Sequence, residues 1–286
     1  MKYQFIAEHE CEFRVSRMCQ VLRVGRSGYY AWKDRPVSQR EQANAELLVK
    51  VRQAFEHSRC TYGSLRIWHY WRRQGCRFSR HRIARLMKNA RMIPVRVAKW
   101  HPRTTRQRPG AHTAPNLLNQ DFQAVQPNQK WVGDVTYIDT AEGWLYLAAL
   151  LDLYSRQVVG WAMGAQNDAH LVEQAWRMAI IHRHPPRQLL HHSDRGSPYT
   201  SSSYLKLLEQ AGCKLSMSRT ANCYDNAVME SFFATLKGEC AVSQFTNRAE
   251  ARSSIFEFIE VWYNRQRLHS FLGYLSPIEF EQLSGH

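Results

Sequence analysis

The sequence predicts an α/β protein in which a mixed five-stranded sheet with helices follows a helical, basic N-terminal region. Three observations carry that prediction. Strand-length apolar runs separated by short turns begin near Pro127 and continue through residues 127–286. Helical periodicity fills residues 1–100. Charge divides along the same line: residues 1–112 hold 25 Lys and Arg against 7 Asp and Glu (net +18), and residues 113–286 hold 14 against 17 (net −3), which together make the +15 of the 286-residue chain. A hydrophobic content of 44% suits a cored protein of this length.

In the basic part, Met18, Val21, Leu22 and Val24 precede a Gly25–Gly28 turn, with Ser16 as the expected N-cap. A short helix, a tight turn and a second short element over Ser16–Trp32 predict a helix-turn-helix-like unit. An amphipathic helix is predicted over Glu41–His57, with Ala45, Leu48, Val51 and Phe55 on one side. "YGSLRIWHYWRRQG" and "FSRHRIARLMKNARM" give two more helices. In the last, Ile83, Leu86 and Met87 form the apolar stripe, and Arg80, Arg82, Arg85, Lys88 and Arg91 lie mostly off it. A basic block with interleaved aromatic residues points to a polyanion, most often nucleic acid, so Arg80, Arg82, Arg85 and Lys88 are expected DNA contacts. Residues 101–126, which contain "HPRTTRQRPGAHTAPN", are expected to be a basic Pro- and Thr-rich linker.

The second part opens with three strands, "KWVGDVTYID", "WLYLAALLDLYS" and "QVVGWAMG", joined by the hairpin-length turns "TAEG" and "SRQ". A helix follows over Asp168–Arg183, with Leu171, Ala175, Met178 and Ala179 on one face. Then come a strand at "RQLLHHSD", a helix "SSYLKLLEQAG" ending at Gly212, and a strand "CKLSMS". The helix "NAVMESFFATLKGEC" and a long helix over Arg248–Arg267 complete the chain. An antiparallel hairpin set followed by parallel additions is the order of the ribonuclease-H-like fold.

Three acids fall in telling places. Asp134 is in the first strand, Asp194 follows the fourth at the end where open α/β sheets bind ligands, and Glu230 is on the helix after the fifth. At about 100° per residue, Val228, Phe232, Leu236, Met229 and Phe233 lie roughly 160–300° from Glu230 and can face the core, while Asn226 and Lys237 fall within about 40° of it. Lys237 is about 10.5 Å along the axis from Glu230, too far for an ion pair. An acid at one end of a polar ridge and a cation at the other fit a bound strand, with Glu230 on a metal and Lys237 and Asn226 toward phosphate. Converging carboxylates stay ionised only with cations between them. Mg²⁺ takes one or two carboxylates with phosphate oxygens and water, and two ions about 4 Å apart serve an attacking and a leaving oxygen. Two Mg²⁺ ions are therefore expected, with Mn²⁺ as a substitute.

Neighbouring polar residues are expected to be structural. Histidines on a strand, such as His191 and His192, are more often packed than reactive. Asp225 reads as an N-cap, as does Asn226 by one register, Asp139 reads as a turn acid, and Asp152 as a turn acid or a buried one. Seven cysteines without a C-x-x-C pair, and His57 and Cys60 without a second pair, argue against disulfides and zinc. No P-loop, G-x-S-x-G or G-x-G-x-x-G is present, so nucleotide hydrolysis, serine esterase chemistry and dinucleotide binding have no support. No run of 18 apolar residues and no signal-like N-terminus occur, so a cytoplasmic, nucleoid-associated protein with no membrane partner is expected.

"WVGDVTYI", "HHSDRGSPYTS" and "SRTANCYDNAVMESFFATLKGE" resemble the three catalytic blocks of integrase-core DDE transposases. "NRQRLHSFLGYLSPIEF", "SGYYAW" and "YGSLRI" resemble further segments of the bacterial insertion-sequence type, in its frame-B product. The resemblance implies that Asp134, Asp194 and Glu230 are the metal-binding triad and that Lys237 lies near the transposon end. It implies cleavage that exposes a 3′-OH, then joining by transesterification, first to the same strand at the other end. It also implies double-stranded DNA (transposon ends and target) as partner, at least a dimer for synapsis, and a fusion with a frame-A product that supplies a helix-turn-helix and a zipper. The alternatives are a non-catalytic DNA-binding regulator of that fusion and a nuclease of the same fold that only hydrolyses.

Overall fold

The computed structural model describes residues 1–95, 113–219, 222–240 and 244–284. Three antiparallel strands, β1 (Lys130–Ile138), β2 (Leu145–Asp152) and β3 (Val158–Gly164), form a meander, and β4 (Leu190–Ser193) and β5 (Lys214–Met217) add parallel to β1. The order β3-β2-β1-β4-β5 is the expected hairpin set with parallel additions.

Both faces of the sheet are covered, which is why "LYLAALL" reads as a continuous apolar run. Along β2, Ala148 and Leu150 turn to one face, where they meet Leu171, Ala175, Trp176 and Ala179 of α7 (Ala169–Arg183) and Tyr204 and Leu208 of α8 (Ser202–Gln210). Leu147, Ala149 and Leu151 turn to the other face, against Met229, Phe232, Phe233 and Leu236 of α9 (Ala227–Glu239). α7 lies so close to β3 that a side chain at Gly160 would collide with the Ala175 carbonyl and Ala179.

The N-terminal helices form two units. α1 (Lys2–Glu8), α2 (Val15–Val21) and α3 (Arg26–Lys33) enclose a core of Ile6, Met18, Cys19 and Tyr29. The N-cap of α2 is Arg14 rather than the expected Ser16, and Gly28 lies inside α3 rather than in a turn. α4 (Gln39–His57) starts at a capping box in which Ser38 and Glu41 bond reciprocally, and α5 (Ser64–Arg73) and α6 (Arg80–Asn89) follow. The buried stripe of α4 is Leu47, Val51, Ala54 and Phe55, and the expected Ala45 is exposed.

Two more expectations change. The helix expected over Arg248–Arg267 is α10 (Arg248–Phe256) followed by a π-helical stretch, Glu257–Tyr263. The widened turn brings Phe258, Ile259, Trp262 and Tyr263 all inward. Asn264 then pairs its side-chain amide with Val158 of β3, accepting from the Val158 N–H and donating to its carbonyl at 3.0 Å each. Of the expected linker, residues 101–112 lie outside the described residues, and its remainder packs on the core. Leu118 is buried, the Met217 N–H donates to the Pro115 carbonyl, and Ser216 Oγ accepts from Leu117 and Leu118.

Candidate active site

β1 and β4 run parallel in the register Val132 to His192. Asp194 follows one residue after Ser193, the last residue of β4, so this register leads it toward the side of Asp134, and its charge acts on the Asp134 carboxyl. Asp134 shares the face of Val132, the one covered by α9. Its Oδ1 accepts from the Val135 N–H at 2.8 Å. Burial pushes the Asp134 carboxyl well above the ordinary range, the charges of Asp194 and Glu230 push it further, and Lys237 opposes them. Asp194 opens the turn after β4, where its Oδ1 accepts from the Gly196 N–H at 2.9 Å. A Cβ at position 196 would lie 2.9 Å from the same oxygen, so any larger residue there would push the Asp194 carboxylate aside. Glu230, in the first turn of α9, is exposed.

Asp134, Asp194, Glu230 and Lys237 thus act on one another at one end of the sheet. Among the described residues, no three His, Cys, Asp or Glu side chains stand close enough to hold a metal ion by themselves. A buried carboxylate crowded by two others is nonetheless a cation site in its chemistry, and Mg²⁺ needs few protein ligands because it keeps water and substrate oxygens. The donors present fit a divalent ion that is completed by substrate.

Lys237 is half-buried, with Nζ 4.5 Å from the Tyr137 ring centroid, and desolvation holds its pKa below the ordinary range. Asn226 is not available to phosphate. It is 6% exposed and donates from Nδ2 to the Gly133 carbonyl at 3.4 Å, tying the start of α9 to β1 beside Asp134. Asp225 is no N-cap but a buried anchor: it accepts from Arg219 Nη2 at 2.8 Å, from the Arg219 N–H at 2.8 Å and from Gln120 at 3.0 Å. Those bonds hold its carboxyl well below the ordinary range.

The histidines are packed, as expected. His192 hydrogen-bonds Ser216 and Ser218 at 2.8 and 3.1 Å, and His191 meets the Tyr204 hydroxyl at 3.0 Å. Burial depresses both, to about 4 and about 3. Asp152 is buried and accepts from the Asn128 and Tyr154 N–H groups, with Arg183 bridging it to Glu281. Asp139 is exposed and accepts from Gln244.

On α6, Arg80, Arg85 and Lys88 are exposed, while Arg82 is half-buried and donates to Asn44 at 2.7 Å, bracing α6 against α4. An open cleft of about 350 Å³ is lined by Arg40, Ser79, His81, Arg82 and Arg85. Arg40 was not legible as a member, because α4 meets α6 only through the fold, and His81 of α6 was passed over for its basic neighbours. Gly196, the partner of Asp194, was also missed. Its signal is a glycine two residues after an acid that leaves a strand.

The chain is similar to known proteins in sequence and in fold. Residues 124–223 and 211–277 match two family models described as an integrase core domain, and residues 41–100 match an HTH-like domain. The chain is 46% identical over 266 residues (93% of it, 97% of the relative) to the insertion element IS600 uncharacterized 31 kDa protein of Shigella sonnei. It is 43% identical over 284 residues (98% of both chains) to the transposase InsF for insertion sequence IS3A of Escherichia coli strain K12. Among solved structures, a chain of the simian T-cell lymphotropic virus intasome in complex with PP2A regulatory subunit B56 gamma is similar at TM-score 0.47 and 12% identity, over 81% of this chain and 74% of that one.

Proposed function

Because the chain belongs to the insertion-sequence transposases that carry an integrase core, we propose that Asp134, Asp194 and Glu230 are the acids with which it cuts transposon ends and joins them to DNA. The chain is a transposase, and its class of chemistry is polynucleotidyl transfer. The observation that most supports the assignment is the β1–β4 register, which leads Asp194 toward Asp134, on the face that α9 covers. No observation favours a regulator without catalysis or a nuclease that only hydrolyses.

Asp134 and Asp194, with Glu230 facing them, would hold two divalent ions, Mg²⁺ or in its place Mn²⁺, which when bound neutralise charge at the scissile phosphate and acidify the attacking hydroxyl. The protein's own part is positioning. Asp134 is fixed within β1, and Asp194, in the turn after β4, is held by the Gly196 N–H on its Oδ1. Asn226 and Asp225 fix the entry to α9 and therefore the height of Glu230. Lys237 offers a cation to a phosphate on the same ridge, and the exposed Arg80, Arg85 and Lys88 offer a phosphate track on α6. Joining two ends calls for at least two copies of the chain, and the frame-A fusion would bring a further DNA-binding unit.

The test is a joining assay with pre-cut ends. Glu230→Gln keeps size and removes charge at an exposed position, so DNA binding and folding should stay within about 0.5 kcal/mol of wild type while cleavage and joining stop. Joining by Glu230→Gln at near wild-type rate would mean that the wrong carboxylate has been chosen, whereas a folded Asp225→Asn, which loosens the anchor of α9, should slow joining without abolishing it.

A further inference from the structure

α9 has a second functional-looking face. Beside the Glu230 ridge, Ser231 and Thr235 line a cleft of about 310 Å³ whose opposite wall is built by Arg66 of α5, Arg156 of the β2–β3 turn, and Arg267 and His269 of the segment after the π-helical stretch. The charges do not balance. Arg267 is paired with Glu239 through contacts of 2.7–3.1 Å. Arg66 has no hydrogen bond among the described residues, and Arg156 spends only Nη2, on the Phe122 carbonyl at 3.0 Å. Arg156 Nη1 is buried without a hydrogen-bond partner, and so is His269 Nε2.

Aromatic rings cover the faces of both arginines: Arg66 lies 5.7 Å from the Tyr62 centroid and Arg156 lies 4.2 Å from that of Phe271. Stacking of this kind satisfies a guanidinium face and leaves its N–H edge for an in-plane acceptor. An orphaned donor in a buried setting is destabilising unless a ligand completes it. His269 is held neutral by burial and by the charges of Arg267, Arg66 and Arg156 and bonds the Tyr263 backbone, so its remaining nitrogen is an acceptor and takes no part in holding an anion. A tetrahedral oxyanion fits the two arginines: it accepts from their guanidinium N–H groups and from the Ser231 hydroxyl, while the Thr235 hydroxyl is already spent on the Ser231 carbonyl.

We infer that this cleft is a second anion site that takes a backbone phosphate of the DNA strand lying at Glu230. The inference rests on the DNA-joining reading above. Glu230 and Ser231 are consecutive, and a helix with its side chains is about 10–12 Å across. The cleft is therefore on the order of 10 Å from the Glu230 carboxylate, which puts its phosphate within about three nucleotides of the one at Glu230. Two fixed phosphates would set the strand's direction across the helix, which a single contact at Lys237 cannot do.

The experiment uses the full chain and end duplexes in which one phosphate at a time is replaced by an uncharged methylphosphonate. In wild type, one position within about three nucleotides of the cut should lower end binding about tenfold. Arg66→Gln should show the same loss, a salt slope lower by about one unit, and no further loss from that modified duplex. Arg156→Lys, which keeps the charge and loses the fork, should give a smaller loss at the same position. If folded Arg66→Gln and Arg156→Lys keep the wild-type affinity, salt slope and modification profile, the inference fails. It fails too if inorganic phosphate alone raises the thermal midpoint of wild type and not of Arg66→Gln while the DNA profiles are identical. Joining by Glu230→Gln would overturn the active-site assignment and leave the profile at Arg66 to judge the cleft separately.

Discussion

The two helical triplets at the N-terminus are alike in sequence and different in how they are held. Both are short, basic helices around a few apolar side chains. α1–α3 close on four buried residues of their own, and among the described residues no side-chain hydrogen bond, ion pair or ring contact joins residues 1–34 to the rest. α4–α6 share one continuous core with the sheet and α9. The Tyr62 hydroxyl accepts from the Leu268 N–H at 2.7 Å, the Tyr62 ring packs on Trp262, and His69 stacks on Tyr274 at 3.5 Å. Arg59–Glu257 and Arg73–Glu279 pairs border the seam. The difference teaches that the charge boundary is not a folding boundary. The basic α4–α6 triplet is a structural part of the catalytic unit, and only the first triplet is tethered. A unit of under about 40 residues has too little buried area to be stable by itself, so α1–α3 should be the first part to open.

The largest test is truncation. Removing residues 1–37 leaves Ser38 and the α4 cap intact, and cooperative unfolding by calorimetry should survive almost unchanged. Removing residues 1–112 strips the shared core, and the remaining sheet should lose its cooperative transition and bind a hydrophobic dye. A cooperative 113–286 fragment would break the comparison.

Next in size are two matched core deletions, at residues that are both fully buried. Ile67→Ala should lower the main transition by about 2–5 kcal/mol. Ile6→Ala should leave that transition in place and show only as faster hydrogen exchange in residues 1–34.

A pH experiment sharpens the contrast further. Asp134 has its folded pKa raised above the ordinary carboxylate value, so the folded state binds its proton more tightly than the unfolded state does. Its ionisation therefore withdraws stability as pH rises from about 4 upward. Asp134→Asn should raise the thermal midpoint of the shared unit at pH 7 in the absence of divalent ions. The gain should vanish below about pH 4, and α1–α3 should be untouched. A lower midpoint at pH 7 would mean that Asp134 is not a strained carboxylate. The smallest effect is expected at the seam's surface, where Glu257→Gln removes an ion pair on a 61% exposed side chain and should cost under about 1 kcal/mol by denaturant titration.

Hydrophobic period made much of this fold legible. Strand alternation and continuous runs gave the sheet, because a sheet covered on both faces writes its burial directly into the sequence. The placement of the three acids on their elements was legible for a different reason: Asp134 lies inside an alternating strand, Asp194 follows a strand that ends in small turn residues, and Glu230 opens an amphipathic helix. What stayed hidden depends on contacts distant in sequence. Net charge divides the chain after residue 112, yet Tyr62 and Trp262, 200 residues apart, pack together, and nothing local announces that. Asn226 was misplaced because a helical wheel was extended to a residue outside the helix. It is the N-cap of α9 with φ −122° and ψ 27°, so the 100° rule does not apply to it. Asp225 looked like a cap because Arg219 and Gln120, its partners, come from other segments. The break after Phe256 follows from the need to turn four large side chains inward at once, which no propensity encodes.

The amide of Asn264 has a consequence for synthesis of the chain. Its two bonds to Val158 close the start of the outer edge of β3, whose Trp161 N–H and Met163 carbonyl are met by Met178 and Arg252, and an edge without such partners is open to pairing with another chain. β3 ends at Gly164, so about 100 further residues must leave the ribosome before its closure arrives, which takes about 5–20 s at ordinary elongation rates. A nascent or prematurely ended chain carries an uncapped strand during that interval. A segment read later thus guards one of the first parts of the sheet to be made, and a ribosome that stops before codon 264 releases a product prone to clump.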